Sequence, residues 1–86
     1  MRFVITKRFA DAYAALPESL QKKTSKALRL LAENRAHPSL HLKKIQGVQG
    51  IWEARVDISC RMTLEVHSDR YMLRNIGKHD ETLGNP

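Results

Sequence analysis

A single cysteine, Cys60, stands in 86 residues, so no intramolecular disulfide can form. That removes the staple on which small secreted domains rely, and a reducing cytosol suits the chain. No stretch approaches the ~18 consecutive apolar residues of a membrane span. The opening Met1-Arg2-Phe3-Val4-Ile5-Thr6-Lys7 has no long apolar run, so neither a signal peptide nor a membrane span is expected. There is no internal repeat, linker or low-complexity segment. No two of the four histidines lie at a metal-binding spacing with a carboxylate or cysteine, so neither a metal nor a cofactor is expected. Acidic residues are the scarcer charge, nine against 15 Lys plus Arg. The resulting net charge of +6 and pI near 9.9 favour a polyanionic partner, nucleic acid or an acidic protein segment.

What remains is enough for one small domain, residues 1–86, whose active site would be a shallow surface cleft. Arg2 to Thr6 reads as an opening strand. From Lys7 to Leu16, residues Phe9, Ala12, Tyr13 and Leu16 recur at helical spacing. Pro17 ends that helix and suits the first turn of the next, with Glu18 near the positive end of its dipole. Leu20, Ala27, Leu28 and Leu31 stripe this second helix to about Asn34, opposite Lys22, Lys23, Lys26 and Arg29. Arg35 to Ser39 is a connector, because Pro38 disfavours helical geometry at His37. His37 and His41 read as loop residues there. Gly47-Val48-Gln49-Gly50 is a turn into a strand at Ile51–Asp57, followed by Cys60–His67 and Tyr71–Ile76 with short connections. The expected fold is α+β, in the order β-α-α-β-β-β: an antiparallel sheet with a two-helix hairpin on one face. Glu81 to Pro86 reads as a partly mobile tail.

Alternation divides the sheet into two unlike faces. Trp52, Ala54 and Val56, with Cys60, Met62, Leu64 and Val66, make the apolar side, so Trp52 and Cys60 read as core residues. Glu53, Arg55 and Asp57, with Arg61, Thr63, Glu65 and His67, make the charged one. Metal-free cleavage of RNA needs a proton acceptor for the ribose hydroxyl, cations for the phosphate and an acid for the leaving oxygen. Arg55 and Arg61 suit the phosphate because a guanidinium fork engages two oxygens and stays charged. Lys43, Lys44 and Lys78 add cations that bind phosphate. His79 is the natural proton donor near neutral pH. Glu53 is a candidate base or, equally, an ion-pair partner of Arg55 or Arg61. His67, at its strand's end, is a weaker candidate than His79.

The ordered set Ala15-Leu16-Pro17, Leu30-Leu31, His37-Pro38-Ser39-Leu40, Lys43-Lys44-Ile45, Trp52-Glu53-Ala54-Arg55-Val56, Cys60-Arg61-Met62 and Ile76-Gly77-Lys78-His79-Asp80-Glu81-Thr82-Leu83 resembles the RelE/ParE toxin superfamily of toxin-antitoxin modules. The resemblance covers nearly the whole chain. It implies a compact sheet with two packed helices, an antitoxin that wraps the toxin through an acidic or amphipathic segment, and, in RelE-like members, endoribonuclease cleavage of messenger RNA on the ribosome in the cytoplasm. Arg61 looks like the strand arginine of RelE-like enzymes, and Glu53 and Arg55 stand where two basic strand residues precede it. His79 falls where YafQ-like enzymes place a catalytic histidine. The C-terminal aromatic of several relatives has no counterpart among Asp80 to Pro86. The resemblance leaves two alternatives open, a ParE-type toxin that binds gyrase, and a degenerate member that binds antitoxin or RNA without cutting.

Overall fold

Thr6 converts the first strand into the first helix. In the computed structural model, which describes residues 1–86, its Oγ1 caps the helix by accepting from the Phe9 amide at 3.2 Å and donates to the Leu73 carbonyl at 2.8 Å. Strand β1 is Arg2–Ile5 and helix α1 Lys7–Ala14; Pro17 caps α2, Glu18–Glu33. A 3₁₀ turn at Pro38–Leu40 leads to β2 (Lys43–Lys44), β3 (Trp52–Arg55), β4 (Cys60–Val66), β5 (Arg70–Lys78) and a short helix α3 (His79–Gly84). Gly47 and Gly50, at φ +80° and +78°, make the turn into β3, a left-handed conformation that glycine adopts without strain.

The α+β arrangement with both long helices over one sheet face is what forms. Phe9 of α1, Ala27 and Leu31 of α2, and Leu40 bury against Ala54, Cys60, Met62, Leu64, Tyr71, Leu73 and Ile76. Trp52 is half-buried against this cluster and Cys60 is wholly inside it. Burial, followed by the negative charge of Asp57, raises the Cys60 thiol's pKa, so Cys60 is an inert core residue. No helix is long and apolar enough to cross a membrane.

The sheet has five strands in the order β1-β5-β4-β3-β2. β3, β4 and β5 pair antiparallel as expected, the two-residue β2 adds an antiparallel strand absent from the expected order, and β1 lies parallel to β5, Arg2 opposite Arg70 through Ile5 opposite Leu73. A bulge interrupts β4–β5: Thr63 faces Asn75 and Leu64 faces Leu73, leaving Arg74 unpaired. The extra residue shifts the alternation. Tyr71, Leu73 and Ile76 thereby all reach the core, while Arg74 and Asn75 both serve the polar side.

The C-terminal residues are no loose tail. Residues 79–84 form α3, and Thr82 is buried with its Oγ1 only 2.9 Å from where a Cβ on Gly77 would sit. The Asn85 carbonyl accepts from the Arg8 guanidinium and from Asn75 Nδ2 at 3.0 Å. The Pro86 carbonyl accepts from Arg74 Nε at 3.2 Å and Thr63 Oγ1 at 3.5 Å. The expectation of mobility fails because side chains of the polar sheet face satisfy these backbone carbonyls, a tertiary effect with no local signature.

Candidate active site

The β3–β4 turn is built by Asp57, whose Oδ1 accepts from the amides of Ser59 at 2.9 Å and Cys60 at 2.8 Å. Burial works against this carboxylate, but the two amides and Lys23, 3.3 Å away, outweigh it and hold its pKa below the usual range. Arg61 folds onto the same turn. Its Nη1 donates to the Asp57 carbonyl at 2.5 Å and the Cys60 carbonyl at 3.1 Å, and its Nε lies 3.9 Å from Glu53 Oε1. With side chains only 12% and 11% exposed, Arg61 and Glu53 form a nearly buried ion pair. Of the two roles open to Glu53, ion-pair partner is the one this geometry supports.

Arg55 lies directly opposite Arg61 across the β3–β4 ladder. Two like charges at that position repel. Arg55 has neither an ion pair nor a hydrogen bond, whereas the other arginines that are not fully exposed, Arg61, Arg70 and Arg74, all have partners.

His79 stands one step past the same rungs. Arg61 pairs with Gly77 and Cys60 with Lys78, and the His79 amide then donates to the Ser59 carbonyl at 2.8 Å. Its ring is 48% exposed, with Nδ1 2.9 Å from Asp80 Oδ1. No glycine turn precedes it: Gly77 is an ordinary strand residue, and Lys78 stands at the N-cap of α3. Ser59, Lys78, His79, Asp80 and Glu81 border an open concavity of about 310 Å³. No hydrogen bond or ion pair joins His79 to Arg61 or Glu53; the fold brings them together along neighbouring rungs and not by contact.

The lysines divide. Lys43 pairs with Glu53 and so stands over the polar face, but Lys44 pairs with Trp52 and sets its Nζ 5.5 Å from that ring's centre, a cation–π contact on the other side. Lys78 pairs with Cys60 and borders a hollow lined by Ala12, Leu16 and Leu20 of the helical hairpin. Neither Lys44 nor Lys78 joins Arg61 on the polar face. Adjacent residues of a strand point oppositely, so this division was available from alternation alone.

A further polar network was missed. Glu65 takes His67 Nε2 at 2.9 Å and Arg74 Nη1 at 2.7 Å, and the hydrogen bond from His67, then that from Arg74, lowers its pKa. Glu65 and His67 share a face by alternation. Arg74 joins them only through the bulge.

No family profile matches this sequence, and no curated protein matches it significantly. Solved structures do resemble it. A YoeB/ParE toxin from Agrobacterium tumefaciens superposes with a TM-score of 0.77 at 18% identity, over 92% of this chain and 99% of that one. YafQ from E. coli gives 0.78 at 13% identity, over 94% and 97%. The chain has the fold of the RelE, YoeB and YafQ toxins. RelE in the antitoxin–toxin complex with RelB from Methanococcus jannaschii shares it, with a TM-score of 0.74 at 18% identity, over 91% and 92%. The toxin fold spans nearly the whole chain and places β3, β4 and the start of α3 at one end of the sheet.

Proposed function

We propose that this protein is a toxin of a toxin-antitoxin pair that cuts messenger RNA on the ribosome, without a metal, in the cytoplasm. The observation that carries the reading is the half-exposed His79, fixed through its amide to Ser59 two steps beyond the rung on which Arg61 and Gly77 pair. In this mechanism the 2′-hydroxyl gives its proton to water and attacks the adjacent phosphate in line, closing a 2′,3′-cyclic phosphate as the bond to the 5′-oxygen breaks. Arg55 and Arg61, with Lys43, neutralise the charge that gathers on the phosphorane oxygens, and His79 protonates the departing 5′-oxygen. Glu53 holds the Arg61 guanidinium in place. Fixed cations aimed at developing charge contribute about 3 kcal/mol per donor, and a positioned acid ~10²–10⁴ in rate. Neutralisation follows from an antitoxin whose acidic or amphipathic segment covers the cationic face, as the antitoxin complexes of RelE and YafQ suggest.

Primer extension on RNA from cells after brief induction tests this. Discrete new 5′ ends that disappear with His79→Ala are expected. Growth arrest with intact messenger RNA would refute the nuclease and leave a gyrase-type binding toxin.

A further inference from the structure

Around the end of β3, on the side of α2, lies a concavity of about 230 Å³, and of its lining residues the catalytic scheme uses only Arg55. Lys23, Lys26, Ser39 and Arg55 border it. Lys23 and Lys26 are three residues apart on α2 and therefore lie on one helix face. Lys26 and Arg55 have no carboxylate partner, and the Ser39 hydroxyl makes no hydrogen bond. The sole anion at the rim is Asp57, already engaged by two amides and by Lys23. Three cations thus face one committed carboxylate. Leu30, Leu40 and Val56 supply an aliphatic floor beneath them.

Arg55 is half-buried as a residue and makes no hydrogen bond or ion pair within the molecule, so its guanidinium is free for an anionic ligand. The volume falls below the ~300–1,000 Å³ that encloses a free small molecule. One unit of a polymer fits such a hollow better. We infer that this cavity holds a nucleotide of single-stranded RNA next to the scissile phosphate, its phosphate taken by Lys26, with Arg55 bridging it to the scissile phosphate, and its sugar lying on the aliphatic floor. The inference rests on the nuclease reading for the identity of the polymer. Arg55 makes the connection: it faces Arg61 across the ladder and borders the cavity, so a polyanion leaving Arg61 meets Arg55 next and Lys26 after it. Ser39 and Lys23 widen the phosphate cradle, and Asp57 repels a strand that strays toward the turn.

The test uses the full chain and a short oligoribonucleotide with every 2′-hydroxyl methylated. Such an oligonucleotide cannot be cut, and its affinity is read by fluorescence anisotropy across about 50–200 mM salt. Lys23→Ala/Lys26→Ala is compared with Lys7→Ala/Lys22→Ala, which removes the same charge from exposed lysines paired within their own helices to Asp11 and Glu18. The cavity variant should weaken binding roughly tenfold and flatten the logarithmic salt slope by about 0.7, the contribution of one neutralised phosphate on a single strand. The control pair should change affinity less than about threefold. Equal losses in the two pairs would reduce the cavity to part of a general basic surface and overturn the inference. So would stronger competition for the cavity by a glutamate-rich peptide than by the oligonucleotide, which would assign it to an acidic protein segment. Binding of uncleavable RNA is independent of the chemistry at His79. Loss of cleavage with binding intact would therefore count against the nuclease alone, and cleavage with unaltered binding in the cavity variant against the cavity alone.

Discussion

At the scale of single residues, the two side chains most exposed to mutational test differ in what they support. His79 is half-exposed and its fixed contact is a backbone amide that any residue supplies. His79→Ala should leave unfolding within about 0.5 kcal/mol of the native chain while cleavage falls by ~10²–10⁴. Arg61 is different, because alternation puts it on the charged face but says nothing of the carbonyls that capture it. Arg61→Ala removes donors from Asp57 and Cys60 and strands Glu53 as a buried unpaired carboxylate, so a loss of about 3 kcal/mol in chemical denaturation is expected. Activity lost in that variant has two causes; in His79→Ala it has one. Asp57→Ala should cost about 2 kcal/mol through its turn amides, and Asp57→Asn, which keeps the Oδ1 acceptor, less.

At the scale of elements, the strands and the helical hairpin were legible because each carries its own period. Phe9 with Tyr13 and Ala27 with Leu31 repeat every fourth residue, and Met62 with Leu64 every second. Helix α3 was not legible, since His79-Asp80-Glu81-Thr82-Leu83-Gly84 has no apolar stripe and exists by docking Thr82 over Gly77. The bulge was equally hidden, although the step from Leu73 to Ile76 is its trace. The Arg61–Glu53 juxtaposition could be read from alternation, their burial could not. Gly77 tests the α3 contact: Gly77→Ala pushes on Thr82 Oγ1 and should speed amide hydrogen exchange in 79–84, lowering cleavage because His79 opens that helix. Adding Thr82→Ala vacates the space, so the double variant should regain protection. Unchanged exchange in Gly77→Ala would show that the helix tolerates the methyl.

At the scale of the molecule, charge and connectivity set the limits. Glu65 and Asp57 have pKa values depressed in the folded chain, so their contribution to stability is complete above the ordinary carboxylate range near pH 4 and is lost as pH falls through the lowered values. Thermal unfolding should accordingly shift to lower temperature in acid. Glu65→Gln should be less stable than the native chain at neutral pH and converge with it once the pH falls below the lowered pKa of Glu65, the reverse order being incompatible with this linkage. Connectivity acts through the parallel pairing of β1 with β5, where Thr6 reaches Leu73 across 67 positions of sequence. Closing so long a loop is slow compared with forming the helical hairpin, and the loop cannot close until β5 has been synthesised. The first strand therefore waits, unpaired, until the ribosome has made β5. A nascent chain of this topology cannot complete its sheet, nor set His79 against Ser59, before β5 and the start of α3 have been made.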